Sequence, residues 1–217
     1  MDTESSTAQR GKFIVFEGGD GAGKSTQVQA VQHWLAQRAL PVLTTREPGG
    51  TQISEELRAL VLEHGHGQID ARTEALMYAA ARAAHVQQAI VPALERGQWV
   101  ISDRFVDSSL AYQGVGRGLG LEAVAAINEF ATGGLVPDLT VVLDLPSQAG
   151  RARRIAAGGG VEQADRLEAE PDEFHERIRH AFLDLAAAAP ERYLVLDASA
   201  GIDQLKEQIA ARLEQLA

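Results

Sequence analysis

Cysteine is absent from the 217 residues. That excludes a disulfide framework, a thiolate zinc site and a cysteine nucleophile. Aromatic residues are scarce, at 5%, so Ala, Val, Leu and Ile must build the core. No apolar run approaches the ~20 residues that a membrane span requires. Met1 to Arg10 are polar and lack the apolar segment of a secretory signal. Residues 1–11 are therefore expected to be a mobile tail, and the protein cytoplasmic. Cations are in deficit, with 20 Lys and Arg against 30 Asp and Glu, a formal charge of −10. An acidic chain is a poor general binder of nucleic acid polymers, which need clustered Lys and Arg. A small phosphorylated ligand needs only a local positive pocket.

Glycine, by contrast, is concentrated where it matters. Residues 13–26 read F-I-V-F-E-G-G-D-G-A-G-K-S-T. An apolar, strand-like run ends in a turn with Gly18, Gly23, Lys24 and Ser25 at the G-x-x-x-x-G-K-[ST] spacing of a phosphate-binding loop. Glycines let backbone N–H groups point into such a loop where a Cβ would block a close phosphate. The helix expected to start near Lys24 adds its positive end. Lys24 can reach β- and γ-phosphates, and the Ser25 hydroxyl can hold Mg²⁺.

Periodicity places the remaining elements. Val28, Val31, Leu35 and Ala39 share a helical face. Val42 to Thr45 form a short strand that delivers the turn-rich loop Arg46-Glu47-Pro48-Gly49-Gly50-Thr51. Residues 53–62 and one long stretch, 70–95, bent near Pro92, read as helices. His64 and His66 fall in a glycine-broken connection without a clear third ligand, a solvated loop rather than a metal site. Trp99 to Ile101 form a strand that ends at Ser102-Asp103-Arg104-Phe105. Residues 106–113 are short and polar, and 114–120 glycine-rich. A helix at 121–130 precedes a nearly continuous apolar strand at 138–145. Residues 147–169 carry Arg151, Arg153, Arg154, a triple glycine (158–160) and Asp165-Arg166, the character of a mobile lid. A helix at 171–188, a strand at 193–196 and a helix at 202–216 close the chain. This alternation predicts an α/β fold: a doubly wound five-stranded parallel sheet with helices on both faces, as a single domain over 12–217. Ligands of such sheets collect at the carboxyl ends of the strands, where the Gly18 turn, Arg46, Asp103-Arg104 and the Arg151 region all fall.

So many cations beside Lys24 exceed the needs of one nucleotide. They suit two phosphorylated ligands facing each other, and hence phosphoryl transfer by positioning and charge neutralisation. The residues that decide between kinases are Phe16-Glu17-Gly18-Gly19-Asp20-Gly21-Ala22-Gly23-Lys24-Ser25-Thr26, Arg46 to Thr51, the run I-S-D-R-F-V-D-S-S-L-A-Y-Q at 101–113, and Asp165-Arg166-Leu167-Glu168. In that order they resemble the four motifs of the thymidylate kinases, from about Lys12 to Leu216. The resemblance implies transfer of the ATP γ-phosphoryl group to dTMP, giving dTDP and ADP with Mg²⁺, by a homodimer.

It also implies roles. Gly18 to Thr26 would hold ATP. Arg46 and Arg104 match acceptor-phosphate arginines, whose guanidinium forks suit a phosphate. Asp103 stands where an acid would hold Mg²⁺, directly or through water. Asp20 matches an acid near the sugar 3′-hydroxyl and the transferring phosphate, with Mg²⁺ within its reach. Tyr78 and Arg82, four apart on a helix, match an aromatic ring stacked on thymine and an arginine donating to its O4. Ser108, Ser109, Tyr112 and Gln113 match the base and sugar wall, Tyr112 lying where a ribose 2′-hydroxyl would go. The phosphate loop has no basic residue between Gly18 and Gly23. Family members of that kind place catalytic arginines in the lid, which implies Arg153 or Arg154 on the transferring phosphoryl group. Arg166 is a possible substitute for the missing lid cations, and Glu168 would touch the bound nucleotide or its metal.

The competing readings are another P-loop kinase, acting on a deoxynucleoside or a different monophosphate, and a P-loop GTPase switch or regulatory ATPase. The motifs at 46–51 and 103–113 argue against the first. Neither N-K-x-D nor L-S-G-G-Q occurs in the chain, which argues against the second.

Overall fold

The computed structural model describes residues 10–158 and 165–216. The core is a five-stranded parallel sheet in the order β2-β3-β1-β4-β5, comprising β1 (Phe13–Gly18), β2 (Val42–Arg46), β3 (Trp99–Asp103), β4 (Leu139–Asp144) and β5 (Tyr193–Asp197). Central β1 is buried on both faces, and its period of two divides it between two cores. Ile14 and Phe16 pack with Val31 and Leu35 of α1 (Lys24–Gln37) and with Leu205 and Ile209 of α9 (Ile202–Glu214). Phe13 and Val15 face the other way, against Val86, Ile90, Leu94 and Phe105. Each fully buried side chain of this size contributes about 1.5–3 kcal/mol. The start of β1 is pinned by Asp138, whose Oδ2 accepts the Phe13 N–H at 2.8 Å.

The other helices are α2 (Gln52–Leu62), α3 (Ala71–His85), α4 (Val91–Glu95), α5 (Val106–Ser109), α6 (Leu121–Thr132), α7 (Ser147–Ala156) and α8 (Asp172–Ala188). None among the described residues is long and apolar enough to cross a membrane. The five strands and their parallel pairing match the expectation from sequence.

Two local readings are corrected, and a third segment gains its structure. Ala39 does not share the buried face of α1: it lies beyond the helix, exposed, in a left-handed turn with φ 53°. The stretch 70–95 is not one helix but α3, a π-helical turn at Val86–Ile90, and α4. The π-turn sits just before Pro92, whose ring and missing N–H cannot continue the regular ladder. Residues 106–116, polar and then glycine-rich in sequence, are helical. They form α5 and a π-helical segment, Leu110–Gly116, that packs against α8. The lid expected at 147–169 begins as regular α7. Its residues 159–164, including Gly159 and Gly160, lie outside the described residues, as does most of the tail expected at 1–11.

Register brings the functional loops together. Phe16 is level with Asp103 on β3 and with Val141 on β4, and Arg46 is level with Asp103. The chain therefore leaves β1, β2 and β3 along one edge, and β1 is the strand at which the winding reverses, the usual ligand position of an open α/β sheet.

Candidate active site

The loop after β1 is shaped by close backbone contacts. Gly18 has φ 132°, and a Cβ there would lie 2.5 Å from the Leu143 carbonyl. Gly21, at φ 80°, is pressed against Gly150 of α7, and a Cβ on either would overlap the other segment's backbone. Gly23 leads into α1. Lys24 is buried, and its Nζ donates to the carbonyls of Gly18 and Gly19, each at 3.1 Å. Burial pushes its pKa down, and Arg104 pushes the same way. The ammonium thus occupies a cradle built for oxygen acceptors. The cavity it faces, of about 500 Å³, is also lined by Ser25, Thr26, Asp103, Arg153 and Arg154.

A magnesium ion fits the donor set there. Among the described residues Asp103 Oδ1 is buried without a hydrogen-bond partner, an acceptor that a cation would satisfy. Ser25 supplies a hydroxyl at the start of α1 in the same cavity. Hard oxygen donors of this kind suit Mg²⁺.

A second cavity, of about 160 Å³, contains the residues expected to form the nucleoside site: Tyr78, Arg82, Ser108, Ser109, Tyr112 and Gln113 all line it. The two cavities share Asp20, Glu47, Arg58, Arg104 and Glu168 as common wall.

Arg104 is the centre of that wall. It follows the last residue of β3 with φ 72°, a left-handed conformation that costs a non-glycine residue roughly 1–3 kcal/mol. Its N–H donates to the Phe16 carbonyl at 2.8 Å, and its own carbonyl accepts the Ser102 hydroxyl at 2.7 Å. The guanidinium donates to Asp20 at 2.7 Å and to Ser108 at 3.0 Å, and it lies 5.3 Å from the Tyr112 ring centroid. Burial alone would raise the Asp20 carboxyl, but Arg104 and Lys24 overcome it and hold it down at about 2. Asp20 is therefore a carboxylate at any physiological pH. Burial raises the Tyr78 and Tyr112 phenols, so both stay neutral.

Behind Arg104 lies a residue that stands in the sequence only as one position of the phosphate-loop motif. Glu17 is fully buried and accepts the Phe105 N–H at 2.8 Å, the Ser108 N–H at 3.2 Å and the Ser108 hydroxyl at 2.7 Å. Burial and neighbouring Asp107 push its pKa up to about 7. The Ser108 hydroxyl is thus committed between Glu17 and Arg104, and it supports the arginine although it also lines the cavity.

Arg82 is likewise more constrained than expected. It is 2% exposed. Nε donates to Glu47 at 2.6 Å, Nη1 to Ser109 at 2.9 Å and to Asn128, and Nη2 to the Phe105 carbonyl at 2.9 Å. Among the described residues these bonds take four of the five guanidinium N–H groups, which leaves one for a ligand. Glu47 also accepts from His85 Nδ1 at 2.9 Å, and His85 Nε2 meets the Thr45 hydroxyl at 2.7 Å. The Arg46–Thr51 loop is thereby locked to α3. Glu47 and Asn128 were missed, because their partners lie 35 and 46 residues away.

Arg46 is not in the nucleoside cavity. It is exposed at the mouth of the phosphate-loop cavity and pairs with Glu55 at 2.9 Å. Arg58, which donates to the Pro48 carbonyl at 2.9 Å, instead lines both cavities. Its only signal in the sequence is a basic residue inside a helix. In the lid, Arg153 donates to the Ala198 carbonyl at 3.0 Å, and Arg154 lies 3.2 Å from Glu168. Both line the phosphate-loop cavity, and Glu168 lines both cavities. Arg166 does not line it. Its donors go to Glu74 and to the Val61 carbonyl, so it does not replace the missing lid cations.

The thymidylate kinase family model matches residues 16–209. The chain belongs to the thymidylate kinase family. It is 50% identical over 206 residues to the thymidylate kinase of Cutibacterium acnes, covering 95% of this chain and 98% of that one. It is also 50% identical over 206 residues to that of Clavibacter sepedonicus, covering 95% and 96%. The crystal structure of thymidylate kinase from Ehrlichia chaffeensis superposes with a TM-score of 0.75 at 29% identity, over 94% of this chain and 99% of that one. The family match spans the phosphate loop, both cavities and the lid arginines of this member.

Proposed function

We propose that this chain transfers the γ-phosphoryl group of ATP to dTMP, giving dTDP and ADP and feeding dTTP synthesis. Family membership supports the reaction. One observation carries its assignment to this site: the phosphate-loop cavity and the nucleoside cavity meet at Arg104 and Asp20. Two anionic ligands can lie head to head there, with the reacting phosphates at the shared wall.

ATP takes the cradle of Gly18 to Thr26, where Lys24 exchanges the Gly18 and Gly19 carbonyls for phosphate oxygens. Ser25 and Asp103 would hold Mg²⁺, which when bound would draw charge from the donor phosphates. Arg104 grips the acceptor phosphate, already anionic, so that no strong general base is needed. Its contact with Asp20 keeps the guanidinium aimed between the cavities. Arg153 and Arg154 approach from α7 and neutralise the charge that spreads over the transferring group. In the nucleoside cavity the Tyr78 ring stacks on thymine, the free N–H of Arg82 faces the base, and Tyr112, Ser109 and Gln113 close the wall. Arg46 and Arg58 guard the entrance to the junction.

The protein is a homodimer in this proposal. Helices α2, α3 and α6 pack side by side and carry exposed Ile53, Leu60, Leu76, Leu121 and Phe130. Phe130 is 92% exposed.

Calorimetry tests the site. dTMP titrated into wild-type protein should release binding heat, and Arg104→Ala should lose about tenfold or more in affinity while remaining folded. No heat with dTMP while ATP still binds would overturn the assignment.

A further inference from the structure

Glu74 is buried to 1% exposure in α3, one turn before Tyr78 and two before Arg82. The three share a stripe, yet the roles proposed above give Glu74 nothing to do. Its carboxylate collects donors from two separate parts of the chain. Gln113 Nε2 reaches Oε1 at 3.0 Å. Arg117 donates through Nε at 3.2 Å to Oε1 and Nη2 at 3.2 Å to Oε2. Arg166 Nη2 reaches Oε2 at 2.5 Å. Burial alone would raise the carboxyl, but hydrogen bonds from Arg117 and Gln113 hold it below the usual range.

The donors are not equivalent in place. Gln113 is part of the nucleoside cavity wall. Arg117 continues to Glu170 and lies 5.1 Å from the Phe174 ring centroid, and Phe174 packs edge-on against Tyr112. Arg166 sits inside the turn where the chain returns from the lid, between Asp165 and Leu167, both of which line the nucleoside cavity. A buried ion cluster is weak evidence of a stability role, since burying its charges offsets much of the attraction between them. What this one does is join two walls of one cavity.

We propose that Glu74 is a positioning residue that ties the lid-return segment, residues 165–170, to the nucleoside wall, so that acceptor binding and the seating of this segment are one event. The inference rests on the nucleoside reading of the second cavity. It implies that Glu74 sets affinity for the acceptor and leaves the donor cradle alone, because the Glu74 donors do not line the phosphate-loop cavity.

Two-substrate steady-state kinetics on the full chain test this. Glu74→Gln and, separately, Arg166→Met should each raise KM for dTMP about tenfold, the scale of one charged hydrogen bond. KM for ATP should stay within about twofold. The double variant should be no worse than Glu74→Gln, since Arg166 acts through the same carboxylate. An unchanged KM for dTMP, or a parallel rise in both Michaelis constants, would overturn the proposal. Should Glu74→Gln fail to fold, Arg166→Met, whose side chain is 20% exposed, decides alone. Arg82→Met separates the two levels. If it leaves KM for dTMP normal, the nucleoside reading falls and this proposal with it. If Arg82→Met raises that KM and the Glu74 and Arg166 variants do not, only the positioning role is lost.

Discussion

At the scale of the residue, the site runs on charges whose neighbours decide their state. Asp20 and Glu17 lie within one loop of each other and are driven apart: Asp20 down by two cations, Glu17 up by burial. The second shift has a consequence for stability. Between the ordinary 4.5 and about 7, folded Glu17 keeps a proton that the unfolded chain has released. Its stabilisation is full below the lower value and is lost as pH rises through the upper one. Glu17→Gln, which cannot titrate, should therefore gain on wild type as pH rises from about 5 to about 8. Urea unfolding at both ends of that window checks it, and parallel curves for the two proteins would refute it. The sequence displays Glu17 as one more acidic residue. Its state depends on Asp107, Arg104 and Ser108, roughly 90 residues away, and no local pattern reports that.

At the scale of the element, α7 and the phosphate loop meet backbone to backbone at Gly150 and Gly21. Two effects compete in Gly150→Ala. Helix propensity favours alanine by about 1 kcal/mol. Overlap with the Asp20 carbonyl costs about 1–3 kcal/mol, and a backbone atom of a ring-like loop cannot swing aside as a side chain would. The clash should win. Thermal unfolding should fall, and KM for ATP should rise as the cradle shifts. A stabilised variant with normal KM for ATP would show that the contact is slack. The elements themselves were largely legible. The strands and most helices follow from periodicity, and the stripe of Tyr78 and Arg82 from helical spacing. One more turn along that stripe reaches Glu74, a signal that was present and unused. The π-helical turns at Val86–Ile90 and Leu110–Gly116 were not legible. Pro92 signals a break near the first of them but not the extra residue in its turn, and neither π-turn changes the local apolar pattern.

At the scale of the whole molecule, the sheet order places β1 between β3 and β4, and the loops following β1, β2 and β3 converge on one edge. The face of α2, α3 and α6 lies apart from the core clusters that hold the sheet. Burying the Phe130 ring against a second copy would remove roughly 150 Å² or more of apolar surface from water, about 3–4 kcal/mol per protomer. Wild type should therefore sediment as a dimer at micromolar concentration, and Phe130→Lys should shift towards monomer. A monomeric wild type would end that proposal.

The amino-acid order alone determined the phosphate loop, the parallel alternation and the family of the chain. Each is written in short spacings that local sterics and hydrogen bonding enforce. Only the tertiary structure decided which charges touch. Arg46 turned out to hold Glu55 at the rim, Arg58 reached the junction instead, Arg82 committed four of its five N–H groups to Glu47, Ser109, Asn128 and Phe105, and Arg166 served Glu74 rather than a phosphate. The reason is distance along the chain. A guanidinium has five donors and a long stem, and its partner is chosen by what packing brings within 3 Å, which spacing does not encode.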